Sequence, residues 1–131
     1  MTLKPTNMFW IVAMTALLWH LVGCWTYIRQ HDPSNIAQMP EVYQFIVNNR
    51  PPWATAAIAT STFGGAVGSI LLLLRRKIAV ELFTLSLLGT TASSYFTLRV
   101  SGLDIMTISA FIMSLGMMWF AVISRQHRWI R

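Results

Sequence analysis

Four long apolar runs dominate the pattern of the chain, and short polar connections separate most of them. Each run approaches the roughly 20 apolar residues that a helix needs to cross the hydrocarbon core of a bilayer. The pattern therefore predicts an all-α membrane protein, a bundle of four transmembrane helices forming one domain over residues 1–131. The predicted spans are about residues 8–28, 53–74, 78–98 and 104–124.

The longest connection, residues 30–52, carries an apolar pattern of its own. Val42, Tyr43, Ile46 and Val47 fall on one side of a helical projection. This spacing predicts a short amphipathic helix in the first outer loop, lying at the membrane surface.

The charged residues fit a membrane protein better than a soluble one. Only 11% of residues are charged and 55% are hydrophobic, whereas soluble domains carry about 25% charged residues. The formal net charge is +6. The positive residues lie beside the apolar runs and do not form the basic face of a soluble fold, which argues against nucleic-acid binding. The first run could be a signal peptide, since Leu21 to Cys24 matches a lipobox, but Trp19 and His20 interrupt it. A retained transmembrane helix is therefore expected.

Orientation follows from the lysines and arginines near the ends of the runs, because cytoplasmic loops carry an excess of them. With a cytoplasmic N-terminus, three lie outside: Arg29, Arg50 and Arg99. Seven then lie inside: Lys4, Arg75, Arg76, Lys77, Arg125, Arg128 and Arg131. A multi-pass protein of the bacterial inner membrane with both termini cytoplasmic is predicted.

Small residues recur at helical spacing within the runs. Gly64 and Gly68 form a G-x-x-x-G pair, and small residues on one face let a neighbouring helix approach closely in lipid. The predicted helix-packing residues are Ala57, Ser61, Gly64, Gly65, Gly68, Ser86, Gly89 and Ser93. Close packing accounts for these stripes without any further function.

His20 and Glu81 are the candidate intramembrane polar site, since ionisable groups inside a membrane often serve a function. His20 is open to three interpretations: a neutral hydrogen-bonding group, a carrier of protons or substrate, or a ligand to metal or haem. Glu81 either pairs with the cluster Arg75 to Lys77 or gates a transport path.

No recognisable catalytic arrangement is present in the sequence. His20 and Cys24 lie one helical turn apart, but two ligands are too few for a metal site. No paired carboxylates, nucleophile with its base, or phosphate-binding loop are found. We therefore expect no enzyme activity, no metal and no cofactor.

Four segments together resemble a known family: F-W-I-V-A-x-x-A-L-L-W from Phe9, P-P-W-A from Pro51, F-G-G-A-V-G-S-I-L-L-L-L-R-R-K from Phe63, and L-F-x-L-S-L-L-G from Leu82. The chain resembles small proteobacterial four-span inner-membrane proteins that are often labelled sugar transporters. The resemblance covers most of the chain and implies the fold, the localisation and the packing role of the glycines at 64, 65 and 68. That family has Asn at the position of His20 and Pro at that of Glu81, so it implies no catalytic residue.

Three functions are compatible with these observations. The first is an accessory or assembly subunit that packs through its small-residue faces against membrane lipids and another membrane subunit or a second copy. The second is an oligomeric transporter or channel for a small solute. The third is a binder of a lipid, quinone or pigment between helices.

Overall fold

The structure, a computed structural model, describes residues 3–131 and confirms the all-α class. Within these residues all regular structure is helical. The helices are α1 (Asn7–Arg29), α2 (Pro33–Ile36), α3 (Glu41–Asn48), α4 (Pro52–Leu73), α5 (Ala79–Ser101) and α6 (Ile105–Gln126). A helix, α3, thus lies in the first connection where the spacing predicts one.

Helices α1, α4 and α6 are long and apolar enough to cross a membrane, which makes this a membrane protein by length and composition. The sequence predicted four spans, and among residues 3–131 only three helices meet these criteria. Helix α5 has 23 residues and is as long as its neighbours. It falls short because serines and threonines occupy many of its positions, and because Glu81 and Arg99 lie in its first and last turns.

The long helices pack in chain order, so that α4 lies between α1 and α5, and α5 between α4 and α6. Tight connections join α4 to α5 and α5 to α6. We call the end that holds residues 3 and 131 the terminal end, and the end that holds α2, α3 and residues 102–104 the loop end.

Helices α4 and α5 approach most closely at Gly89 of α5. A Cβ atom there would lie 2.6 Å from the carbonyl oxygen of Ala57 and 2.9 Å from the amide nitrogen of Ser61. Ser86, one turn earlier, donates a hydrogen bond of 2.7 Å to the carbonyl oxygen of Ser61. Only glycine fits at position 89, because the atoms it faces belong to the backbone of α4.

The other small residues lie along the same helix faces with different degrees of crowding. A Cβ at Gly68 would come within 3.3 Å of the Leu82 side chain, whereas one at Gly64 would reach the Leu82 carbonyl oxygen at an ordinary 3.8 Å. Of the predicted packing residues, four are buried: Gly65, Gly68, Ser86 and Gly89. The remaining four are partly buried: Ala57, Ser61, Gly64 and Ser93.

An apolar core closes the terminal end. Phe9, Leu72, Phe83 and Ile130 are each at most 1% exposed. The ring of Phe9 lies 6.1 Å from that of Phe120, so α1 and α6 meet at this end.

Arg75, in the turn between α4 and α5, ties the two chain ends to this core. Its Nε donates to the Trp129 carbonyl oxygen at 2.7 Å, and its guanidinium Nη2 donates to that of Leu3 at 2.8 Å. The Arg75 carbonyl oxygen accepts a bond of 2.7 Å from the Arg131 amide. Arg75 adopts a φ of 59°, a strained backbone geometry for a residue other than glycine.

Gly89→Ala should destabilise the protein by about 1–3 kcal/mol, because the added methyl group forces the α4 and α5 backbones apart. Gly116→Ala is the matched control, since nothing lies within 4 Å of a Cβ at that site in the middle of α6. It should leave stability unchanged or raise it slightly through helix propensity. Thermal unfolding in a mild detergent measures both, and equal effects would contradict the close contact of α4 with α5.

Arg75→Ala should cost about 1–3 kcal/mol, because two carbonyl oxygens lose a charged donor. It should also expose the segment after α6 to protease. Arg76→Ala, at the exposed neighbouring position, should change neither quantity. Limited proteolysis and thermal unfolding in detergent report the two effects, and indistinguishable variants would show that Arg75 does not hold the ends.

Candidate functional site

A cleft opens between α1 and α6 over their loop-end halves, with α4 and α5 as its floor. Its volume is about 340 Å³. The α1 wall runs from Trp19 to Gln30 and the α6 wall from Met106 to Ser114, while Ile58, Ser61 and Thr62 of α4 with Thr90 of α5 form the floor. Apolar side chains such as Val22 and Met106 lie beside the hydroxyls of the walls and the floor, so the cleft is amphipathic.

The cleft continues toward the loop end as a second space of about 250 Å³. The two spaces share the floor residues Ile58, Ser61, Thr62 and Thr90. Side chains of the connecting segments surround this outer part, which we call the mouth: Gln30, Tyr43, Ile46, Arg50 and Asp104. The two spaces therefore border one another along this floor.

His20 lies at the inner limit of the cleft and is 4% exposed. Its ring rests against Gly65 so closely that a Cβ at that position would overlap the ring. The ring of Phe83 lies 6.2 Å away on the terminal-end side. The His20 Nε2 atom is buried and has no hydrogen-bond partner among the described residues.

Hydroxyl groups of three helices meet at Thr90 on the floor of the cleft. The Thr90 hydroxyl lies 2.5 Å from that of Ser61 on α4 and 2.9 Å from that of Ser114 on α6. It also donates a bond of 3.0 Å to the carbonyl oxygen of Ser86 within α5. Thr90 therefore joins α4, α5 and α6 directly below the cleft.

Arg50 brings a positive charge to the mouth. Its Nη2 donates to the Gln30 side-chain oxygen at 3.1 Å, and its Nε is buried without a partner among the described residues. Burial lowers the pKa of the Arg50 guanidinium, while the nearby Tyr27 raises it. Arginine remains cationic at neutral pH despite such a shift.

Asp104 caps α6 at the mouth. Its carboxylate accepts a bond of 2.9 Å from the Thr107 amide, which satisfies one of the free donors at the start of the helix. Asp104 thus has a structural partner of its own.

The structure does not bring the two residues of the predicted polar site together. Glu81 is exposed in the first turn of α5, two positions before the buried Phe83, so it points away from the core that surrounds His20. Cys24 is buried one turn beyond His20. Residues 3–131 contain no group of three or more His, Cys, Asp or Glu side chains placed to hold a metal ion.

The predicted site omitted Thr90, Ser114 and Arg50. Ser61 was predicted as a packing residue, and it both packs and lines the cleft. Thr90 and Ser114 lie in polar stripes that helix packing alone explains, and Arg50 lies in a loop. Their convergence depends on the helix order, for which the sequence carries no signal.

A second hollow lies at the terminal end and is larger, about 980 Å³. Its charged lining residues are all exposed: Lys77, Arg125, Arg128 and Arg131. It is open to solvent and lacks a buried, unpartnered polar group, so the cleft at His20 is the better candidate site.

Thr90→Val should destabilise the protein by about 1–3 kcal/mol, because it leaves the hydroxyls of Ser61 and Ser114 without their acceptor. Thr91→Val is the control at the next position, since the exposed Thr91 bonds only the Leu87 carbonyl oxygen within its own helix. Thermal unfolding in detergent compares the two. A loss for Thr91→Val as large as that for Thr90→Val would remove the special role of Thr90.

Comparison with known proteins gives no relative from which a role can be transferred. No protein-family model, curated protein or solved structure matches the chain. The resemblance to small four-span inner-membrane proteins therefore stays a prediction, and the function has to be argued from the cleft itself.

Proposed function

We propose that this chain is a non-enzymatic, four-span inner-membrane protein that binds a small amphipathic molecule in the cleft between α1 and α6. The observation that carries the proposal is the His20 Nε2 atom, which is buried at the inner limit of the cleft without a hydrogen-bond partner. Of the three functions compatible with the sequence, this is the binding of a molecule between helices.

Burying the Nε2 atom without a partner costs free energy. A buried polar group without a partner costs about 1–3 kcal/mol. A bound molecule that placed a polar group against the Nε2 atom would recover this free energy. The apolar side chains of the walls would receive the rest of the molecule, and the cleft volume of about 340 Å³ falls in the range of small-molecule sites, roughly 300–1,000 Å³.

The proposal treats α5 as the fourth span although its composition is more polar. Its exposed hydroxyls donate to carbonyl oxygens of their own helix: Thr84 to Val80, Thr91 to Leu87 and Ser101 to Thr97. Hydroxyls satisfied in this way are tolerated in a membrane helix. Helix α5 also lies between α4 and α6, which supports its crossing the bilayer beside them.

The orientation rests on the charge distribution at the two ends. The terminal end gathers the basic side chains of the α4–α5 turn and of the segment after α6. Cytoplasmic segments carry such an excess, so both termini lie in the cytoplasm and the mouth faces the periplasm.

The other two functions find less support in the geometry. The core of Phe9, Phe83 and Ile130 closes the terminal end, so one copy offers no path across the membrane. A role as an accessory subunit, with another membrane subunit or a second copy as partner, is compatible with ligand binding, but no observation favours it separately.

The proposal is tested by extracting the protein, purified in mild detergent, with organic solvent and identifying the released molecules by mass spectrometry. The wild-type protein should carry one amphipathic molecule in a near-stoichiometric amount. Ala110→Phe, which fills the cleft, and His20→Leu, which removes the polar partner, should both lose it. Leu18→Phe is the control on α1, since Leu18 is 60% exposed and lies outside the cleft.

Two results would contradict the proposal. One is a lipid content that is the same in all four proteins. The other is a stoichiometric foreign membrane subunit in place of a small molecule, which would favour the accessory function.

A further inference from the structure

The protons of the serine and threonine hydroxyls in the cleft already form hydrogen bonds within the protein. Among the lining residues, Thr26 and Thr62 each donate a bond of 2.9 Å to a backbone carbonyl oxygen of their own helix. Ser109 likewise donates to the carbonyl oxygen of Ile105. A hydroxyl has a single proton and two lone pairs, so these three groups offer only lone pairs to the cleft.

The group around Thr90 leads to the same result. The single Thr90 proton goes to the Ser86 carbonyl oxygen, which can only accept. All three bonds of Thr90 are then satisfied in one arrangement only, in which Ser61 and Ser114 both donate to the Thr90 oxygen. Their remaining lone pairs face a cleft that has no free hydroxyl proton on its floor.

His20 adds one acceptor to this supply and also offers one donor. In its neutral form the imidazole ring carries one N–H group and one nitrogen lone pair. Other donors in the α1 wall are the Trp19 indole, the Tyr27 phenol and the Gln30 amide, and Arg50 adds one at the mouth. The floor and the α6 wall, in contrast, offer lone pairs and no free hydroxyl proton.

We infer that the bound molecule is an apolar alcohol or phenol, whose hydroxyl group donates to the oxygen atoms of the inner cleft or to His20. This inference rests on the proposed function and names the chemical class of its ligand. A hydroxyl group supplies the proton that the floor and the α6 wall lack, and it can also accept from the His20 N–H. A ketone, quinone or ether brings acceptors only, and against the floor it would place its lone pairs next to those of the protein.

The matched probes are para-nonylphenol and its methyl ether, which keeps the ring, chain and oxygen but loses the proton. Each is titrated into the full-length protein in mild detergent, and native mass spectrometry counts one-to-one adducts. The phenol should bind about tenfold or more tightly than the ether, as expected for one lost hydrogen bond in a buried site. Ala110→Phe should abolish the adduct of both probes and corrects for non-specific attachment.

Thr90→Val provides a second and opposite test. It removes the acceptor of Ser61 and Ser114, so their protons become available to the cleft. The preference for the phenol over the ether should fall in this variant. If the variant does not fold, the ratio measured on the wild-type protein decides alone.

The outcomes separate the inference from the proposed function. Equal binding of phenol and ether, abolished by Ala110→Phe, would overturn the inference and leave the ligand-binding function standing. Absence of an Ala110-dependent adduct with either probe would overturn the inference. If the purified wild-type protein also carries no small molecule, the proposed function fails with it.

Discussion

The close contact of α4 with α5 at Gly89 is the constraint on which the rest of the structure depends. The two backbones meet where Gly89 faces Ala57 and Ser61, at a separation that no side chain at Gly89 would permit. This places Thr90 within hydrogen-bonding reach of Ser61. Helix α6 then joins the same group through Ser114, so one glycine determines where the hydroxyls of three helices come together.

The cleft results from two different ways of packing against α4 and α5. At the terminal end α1 and α6 meet through aromatic side chains, among them Phe9 and Phe120. Toward the loop end the cleft lies between them. His20 lies at the transition between these regions and rests on Gly65, where the absence of a side chain leaves room for the ring. A buried polar atom without a partner is unusual in folded proteins, which is why this position carries the functional argument.

Much of the helical framework follows from apolar run length and from the small residues within it. The four long helices lie at the predicted runs, and α3 lies where a short helix was expected. Composition separated α5 from the other three, since its hydroxyls lower its apolar character even though their protons are satisfied internally.

The site was harder to predict, because it depends on which faces meet. His20 was recognisable as a lone ionisable residue in an apolar run, whereas Glu81 looked similar and lies exposed on another face. The partnership of Thr90 with Ser114 needs the order of the helices, which no local pattern encodes.

The closed terminal end makes the cleft a dead end. A molecule that entered the cleft through the mouth would have to leave past the mouth residues, Tyr43 and Arg50 among them. Passage to the other side would require separating Phe9, Phe83 and Ile130 and breaking the bonds of Arg75 to Leu3 and Trp129 at the same time. Any molecule held in the cleft would therefore stay on the loop-end side of this core.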